Sequence, residues 1–192
     1  MRVALQALLA GMLLAAASAA SADADEAALW KRLREGGYVL FIRHAETVPG
    51  MGDPAGYKLD DCATQRNLSD EGRDHAKRMG ARFKKERVHV ERVYSSPWCR
   101  CRDTGTLAFG KSEDWSPLSS IFDFPDRETD YTERVKKRVS QYGVHKPKGN
   151  VVMVTHNVNI AALTKLSVAQ GEIVVVRPDG CCSFKVVGRL KV

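Results

Sequence analysis

The sequence lacks several features that would place it outside the class of ordinary globular proteins. It has no internal repeat and, after residue 22, no low-complexity segment and no apolar run long enough to cross a membrane. Because those features are missing, a chain of 192 residues favours one globular domain. A basic stripe with interleaved aromatic side chains is also missing, so we expect no nucleic-acid partner. The net charge of +7 favours anionic partners of another kind.

The first 22 residues are predicted to be a signal peptide and not part of the fold. Arg2 precedes an apolar run over residues 3–17, and the small residues after that run predict cleavage after Ala22, with Ala20 or Ala24 as neighbouring options. The run is shorter than the ~20 residues that a spanning helix needs, and no cysteine near the site offers a lipid anchor. We therefore expect an exported domain over residues 23–192 with no stable membrane insertion (secreted, or periplasmic if the source is a Gram-negative bacterium).

Apolar runs typical of buried strands alternate with helix signals along the rest of the chain. This alternation predicts an α/β fold, a three-layer sandwich with a mainly parallel central sheet and helices on both faces. Ser69 is a predicted helix cap, and Ser96 is another, before Pro97 at a first helical position. The predicted strands are 38–42, 88–94, 115–118, 151–154, 172–177 and 183–187, and the predicted helices are 29–33, one that begins after Ser69, 97–109, 131–142 and 157–166.

Two histidines lie directly after predicted central strands, where ligands bind in an open α/β sheet. His44 comes after Phe41-Ile42-Arg43, and His156 comes after Val154-Thr155. A neutral imidazole is a nucleophile, and a second imidazole, protonated by a bound anion, stabilises charge on a transferring group. Guanidinium groups bind phosphate oxygens in pairs. The arrangement predicts phosphoryl transfer in which His44 attacks phosphorus. Arg43, Arg100 and His156 then hold the equatorial oxygens until water frees phosphate.

Four short motifs occur in order along the chain. They are Arg43-His44-Ala45-Glu46-Thr47, Asn67-Leu68-Ser69-x-x-Gly72, Ser95-Ser96-Pro97-x-x-Arg100-x-x-x-Thr104 and Val154-Thr155-His156. With them, residues 38–187 resemble the histidine phosphatase superfamily, whose fold is phosphoglycerate-mutase-like. The resemblance implies that His44 is the nucleophile and His156 the second histidine. It also implies that Arg43 and Arg100 bind phosphate, without a metal or cofactor. Thr47 is a further candidate phosphate ligand, with a plain loop role as the alternative.

The general acid is not assigned by these motifs. Asn157 comes after His156, where the acid-phosphatase branch of the family has an aspartate as proton donor, and an amide cannot donate a catalytic proton. An acid is needed when an alcohol leaves a phosphomonoester. Four carboxylates remain as candidates, with the second of them preferred: Asp123, Asp126, Glu128 and Glu46.

Five cysteines in an exported chain indicate disulfide bonding. We expect a bridge from Cys62 to Cys99 or Cys101, which ties the loop after the first motif to the third motif. The odd number leaves at least one cysteine unpaired within the chain, and Cys181 and Cys182 lie near its end. A zinc site is the alternative, but Cys-x-Cys lacks a full ligand set at the spacing of a zinc finger.

The segment from Gly110 to Asp130 is too short to form a large lid between central strands. In this respect the chain resembles the short branch of the family, which includes phosphohistidine protein phosphatases and a lipopolysaccharide-core heptose phosphatase. We expect a phosphatase that acts on phosphomonoesters of envelope sugars or small metabolites. The alternatives are a phosphoprotein (phosphohistidine) phosphatase and a non-catalytic module that binds phosphate through its arginines.

Overall fold

The structure, a computed structural model, describes residues 25–145 and 147–192. The predicted signal peptide over residues 1–22 lies outside the described residues, so export stays a prediction. No helix within the described ranges combines the length and the apolar character needed to span a membrane.

A central sheet of six strands dominates the described part of the chain. The strands are β1 (Val39–Arg43), β2 (Val90–Ser95), β3 (Glu113–Asp114), β4 (Asn150–Thr155), β5 (Ile173–Pro178) and β6 (Phe184–Leu190). Their order across the sheet is β3-β2-β4-β1-β5-β6. The first four pair in parallel, whereas β5 pairs antiparallel with both β1 and β6. The predictions of a mainly parallel sheet and of a C-terminal hairpin at its edge are therefore confirmed.

Helices cover both faces of the sheet. They are α1 (residues 25–35), α2 (Asp70–Lys85), α3 (Cys99–Phe109), α4 (Glu128–Val144) and α5 (Asn157–Thr164). Successive side chains of a strand point to opposite faces. Leu40 and Ile42 of β1 accordingly share a core with α1, α2 and α3, whereas Val39 and Phe41 share one with α4 and α5. These four side chains are fully buried, which confirms the three-layer sandwich.

The start of α2 is fixed by contacts with the loop after β1. Ser69 caps the helix as predicted, because its hydroxyl accepts a hydrogen bond from the Gly72 amide at 3.0 Å. The Ser69 amide donates to the Glu46 carbonyl oxygen, also at 3.0 Å. A Cβ at Gly72 would overlap that carbonyl group. The serine and the glycine of the second motif thus hold the loop against α2.

The start of α3 differs from the prediction. The helix begins at Cys99, two residues later than expected, with Trp98 as its N-cap. The Ser96 hydroxyl, predicted to cap the helix, instead lies 2.8 Å from Nε2 of His156. The predicted cap depended on the Ser96 hydroxyl, and this hydroxyl is engaged by His156, which is 60 residues away in the sequence.

The predicted strand over residues 115–118 is wrong. Ser116–Leu118 is a turn of 3-10 helix with Pro117 in its first turn. Proline has no amide to donate to a strand ladder, so pairing with β2 is confined to the two residues of β3 that lie just before it.

Candidate active site

The two histidines meet because β1 and β4 are neighbours in the sheet. Arg43 pairs with Thr155 at the carboxyl ends of these strands, and a histidine comes directly after each strand. The His44 amide donates to the Thr155 carbonyl oxygen at 3.0 Å. The centroids of the His44 and His156 rings are 5.5 Å apart, and both residues are buried. The structure therefore brings together the two imidazoles that the sequence predicts as partners.

A hydrogen bond defines which nitrogen of His44 can act as a nucleophile. Nδ1 lies 2.9 Å from the carbonyl oxygen of Ala45. A carbonyl oxygen only accepts, so Nδ1 carries the proton and Nε2 keeps its lone pair. Burial, aided by the charges of Arg100 and Arg43, lowers the pKa of His44 to about 3, although the bond to Ala45 opposes that shift. His44 is therefore neutral at physiological pH.

His156 is neutral for a related reason. Its Nε2 lies 2.8 Å from the hydroxyl oxygen of Ser96. Burial above all, and then the proximity of His44 and Arg100, lowers its pKa well below the ordinary value. A bound anion opposes both effects, because negative charge favours the imidazolium form. Protonation of His156 is thus expected only when an anion occupies the site.

One pocket of about 450 Å³ opens at the carboxyl ends of β1 and β4. It is lined by both imidazoles and by three guanidinium groups, those of Arg43, Arg66 and Arg100. In each of the three, Nε is buried and has no hydrogen-bond partner among the described residues. A buried donor without a partner costs free energy, so three of them around one pocket indicate a site for the oxygens of an anion.

The guanidinium groups are held in place through Nη1. That of Arg43 donates to the Val168 carbonyl oxygen at 2.8 Å, and that of Arg66 donates to Thr47 Oγ1 at 2.7 Å. Nε of each group has no hydrogen-bond partner among the described residues, and the edge of a guanidinium group suits paired hydrogen bonds with phosphate. Burial, and then the charge of a neighbouring arginine, lowers the pKa of Arg43 and of Arg66. An incoming anion would relieve that repulsion.

Arg66 was missed by the sequence analysis, although it directly precedes the second motif. Thr47 lines the pocket as predicted, but its hydroxyl is also occupied by protein partners. It accepts hydrogen bonds from Arg66 and, at 3.2 Å, from Nε2 of Gln170. The structure therefore gives Thr47 a role in placing Arg66, and direct contact between Thr47 and phosphate stays a prediction.

Asp53 is the second residue that the sequence analysis missed. Its side chain is completely buried, and its carboxylate accepts hydrogen bonds from Arg100 Nη1 at 2.8 and 3.0 Å. The same carboxylate accepts from Trp98 Nε1 at 2.9 Å and from the Arg66 amide at 2.8 Å. It lies in a loop rich in glycine and proline, where no periodicity marks a residue as buried. The one sequence signal that could have pointed to Asp53 is the position of its loop, between the first and the second motif.

A disulfide bond connects this loop to α3. It joins Cys62 to Cys99, the first of the two pairings that the sequence allowed, whereas Cys101 is a buried free thiol. Gln65 adds a second connection, since its side-chain oxygen accepts a hydrogen bond from the Cys99 amide at 3.0 Å. The bridge therefore lies beside Arg100 and fixes the loop that carries Asp53 against the start of α3.

The comparisons with known proteins agree with this geometry. A family model described as the histidine phosphatase superfamily (branch 1) matches residues 39–119, which include His44, Arg66 and Arg100. The matched part contains the first three of the four motifs, and the fourth, with His156, lies outside it. A comparison of the sequence with curated proteins finds no match.

Solved structures of three phosphatases share the fold. The phosphoserine phosphatase of Entamoeba histolytica, in complex with 3-phosphoglyceric acid, is similar with a TM-score of 0.59 and 12% identity, over 81% of this chain and 97% of that one. Mycobacterial glucosyl-3-phosphoglycerate phosphatase is similar with a TM-score of 0.56 and 16% identity, over 78% of this chain and 96% of that one. The protein histidine phosphatase SixA, complexed with tungstate, is similar with a TM-score of 0.54 and 18% identity, over 80% of this chain and 96% of that one. At these identities the likeness is one of fold.

The four carboxylates predicted as candidates for the general acid lie in different surroundings. Asp123 lines the pocket. Asp126 does not, because Pro125–Arg127 forms a 3-10 turn and leaves the Asp126 side chain 75% exposed beside Arg127. Glu128, in the first turn of α4, and Glu46 are both exposed and lie outside the pocket lining. The preference for Asp126 is therefore replaced by one for Asp123.

The two neutral imidazoles predict how stability depends on pH. In the unfolded chain a histidine takes up a proton near pH 6.5, whereas folded His44 does so only near pH 3. The unfolded state then binds more protons between these values, so stability falls as the pH falls through this range. From pH 6.5 to 5, before most carboxylates titrate, the loss is up to about 2 kcal/mol for His44, and His156 adds a loss of the same sign.

Urea unfolding at pH 6.5 and pH 5 measures this effect. We expect His44→Asn to reduce the loss of stability between the two pH values. Replacement of the exposed His145 by asparagine is the matched control and should leave the loss unchanged. An equal loss in wild type and His44→Asn would contradict the assignment of His44 as a neutral buried imidazole.

Proposed function

We propose that the protein hydrolyses phosphomonoesters through a phosphohistidine formed at Nε2 of His44. One observation carries the proposal: an unprotonated imidazole nitrogen shares a pocket with three guanidinium groups whose buried Nε atoms have no partner. Phosphate carries the charge and the oxygens that such a set of donors accommodates. A module that only bound anions would not need the nucleophile.

Each step of the reaction has a residue available to perform it. Nε2 of His44 attacks phosphorus, so an N–P bond forms and the P–O bond to the alcohol breaks. Asp123, as a carboxylic acid, gives its proton to the departing alcohol oxygen. Water then attacks phosphorus and loses a proton to the Asp123 carboxylate, the N–P bond breaks, and phosphate leaves. His44 and Asp123 both return to their starting forms.

The arginines and His156 stabilise the transferring group. Donors that are already in place around the equatorial oxygens favour the transition state without reorganising. Arg43, Arg66 and Arg100 supply fixed positive charge, and His156 becomes a cation when the phosphoryl group binds. These groups would therefore lower the barrier in both steps.

The substrate class that we propose is a phosphomonoester on an envelope sugar or a small metabolite, met outside the cytoplasm after export. The short segment between β3 and α4 supports an open pocket with room for such groups. Removal of phosphate from a phosphorylated protein is the second candidate, favoured by the same openness. A panel of sugar phosphates, metabolite phosphates and phosphopeptides would rank these classes.

Trapping of the intermediate tests the proposal directly. Purified protein is mixed with a phosphomonoester and quenched in alkaline denaturant, because the N–P bond of phosphohistidine hydrolyses in acid. Intact mass should show one added phosphoryl group, and peptide mapping should place it on His44. Turnover without a phosphoryl adduct would disprove the covalent mechanism. Tight binding of phosphate without turnover would favour a module that only binds phosphate.

The role of Asp123 is expected to depend on the leaving group. Asp123→Asn should lower kcat for an alkyl phosphate about 100-fold, because an alkoxide needs a proton, within the usual range for general acid catalysis. The loss should be much smaller for 4-nitrophenyl phosphate, whose phenolate leaves without help. Asp126→Asn is the matched control from the same segment and should change neither rate. Equal losses with both substrates would argue against proton donation by Asp123.

A further inference from the structure

Apolar side chains are exposed at the mouth of the phosphate pocket. Met51 is 91% exposed and Phe122 is 61% exposed, and both line the pocket together with Val48. We call these three residues the apolar rim. In the described part of the chain only three other large hydrophobic residues are exposed, and one of them, Phe124, is two positions from Phe122 and packs against Trp98. Exposed apolar surface is therefore concentrated at this pocket.

The rim is made by two segments of the chain that meet beside the pocket. Val48 and Met51 lie in the loop after β1, whereas Phe122 lies in the segment before α4. The segments meet at Gly52, where an added Cβ would lie 3.9 Å from the Phe122 ring. Gly52 has a φ of +68°, a conformation that other residues rarely adopt, so the loop turns there. The turn leaves Met51 directed to solvent beside the pocket.

Two of the polar side chains that line the pocket make hydrogen bonds to the protein. Asn157 Oδ1 accepts a hydrogen bond from the Val168 amide at 2.8 Å, and Gln170 Nε2 donates to Thr47. Recognition of a sugar depends on free side-chain donors and acceptors that pair with its hydroxyls. Exposed contiguous apolar surface, by contrast, marks a place where an apolar group binds, and methionine adapts its shape to varied apolar ligands.

We propose that the alcohol portion of the preferred substrate is apolar and that the apolar rim contacts it. This inference rests on the proposed hydrolysis of phosphomonoesters, and it replaces the sugar phosphate of that proposal by a phosphomonoester of a long-chain alcohol. The arginines hold the phosphate at the floor of the pocket, and the carbon chain that leaves the ester oxygen lies across the rim. A cationic floor beside an apolar wall complements a molecule with an anionic head and an apolar tail.

A series of alkyl phosphates tests the inference, because their alcohols have similar basicity and differ in apolar area. We expect kcat/KM to rise from methyl to octyl phosphate by about tenfold to a hundredfold, as contact with the rim removes apolar surface from water. Glucose 6-phosphate should resemble methyl phosphate. All substrates are used below the concentration at which octyl phosphate forms micelles.

A rim variant isolates the contribution of these residues. The double variant Met51→Ser/Phe122→Ser should lower the octyl-to-methyl ratio of kcat/KM about tenfold. Both side chains are mostly exposed, so the fold tolerates the change, and circular dichroism checks this. Val144→Ser, an exposed valine at the end of α4, is the matched control and should keep the wild-type ratio.

The possible failures are distinguishable. If no phosphomonoester in the series is hydrolysed, the proposed function itself is overturned. If methyl phosphate and glucose 6-phosphate are hydrolysed as well as octyl phosphate, the function stands and the inference about the rim is overturned. An unchanged octyl-to-methyl ratio in the double variant would likewise overturn it.

Discussion

Replacement of His44 by asparagine is expected to reduce kcat by about 10⁴-fold or more, which is the usual cost of removing a covalent nucleophile. Asparagine retains an N–H donor for the Ala45 carbonyl oxygen but has no nitrogen lone pair to attack phosphorus. The three arginines remain, so phosphate should still bind. Steady-state turnover and equilibrium binding of inorganic phosphate measure the two properties separately.

Two further results make this prediction decisive. The His44→Asn protein should acquire no phosphoryl group in the trapping experiment, whereas His145→Asn, a change at an exposed histidine, should react as wild type does. Hydrolysis by His44→Asn at the wild-type rate would disprove the assignment of the nucleophile. Loss of phosphate binding together with turnover would instead indicate that the pocket had collapsed.

The histidines could be located from the sequence because the signals for them are local. A run of apolar β-forming residues predicts the strand before His44 and that before His156, and parallel strands place the residues after their carboxyl ends at one edge of the sheet. The pairing of β1 with β4 then brings the two rings together. The fold class was predictable for the same reason, since strand and helix signals alternate along the chain.

Arg66 and Asp53 could not be found in this way because their roles depend on distant contacts. Arg66 is placed by Thr47, and Asp53 is buried by α3, Trp98 and a disulfide-linked loop. Neither environment leaves a periodic pattern in the sequence. The start of α3 was misplaced for a similar reason, because His156 engages Ser96 across 60 residues. Tertiary contacts of this kind override local capping preferences.

The charge balance of the pocket links these missed residues to the chemistry. Three guanidinium groups line one site, and without a counter-charge their mutual repulsion would oppose folding. Asp53 neutralises one of them through Nη1 of Arg100 and leaves Nε of Arg100 without a partner among the described residues. The protein thereby keeps a strongly cationic pocket while it compensates part of the charge.

Removal of the Asp53 carboxylate is therefore expected to have a large effect on stability. Asp53→Ala leaves Arg100 buried without its ion-pair partner and deprives Trp98 Nε1 and the Arg66 amide of their acceptor. Breaking a buried ion pair by removing one partner costs about 3–5 kcal/mol. Urea unfolding should show a loss of this size, whereas Asp60→Ala, at an exposed position in the same loop, should change stability by less than about 0.5 kcal/mol.

Asp53→Ala should also weaken the binding of phosphate, because Arg100 loses the ion pair with Asp53 that orients it. The isosteric Asp53→Asn is the more informative variant, since it keeps an acceptor for the Arg66 amide while it removes the charge and the oxygen that accepts from Trp98 Nε1. We expect its kcat/KM to fall about 100-fold, as when a group for positioning shifts by about 1 Å. A merely structural role would lower the amount of folded enzyme and leave the phosphate inhibition constant unchanged. A positioning role raises that constant, so an unaltered value in folded Asp53→Asn would separate Asp53 from the chemistry of the pocket.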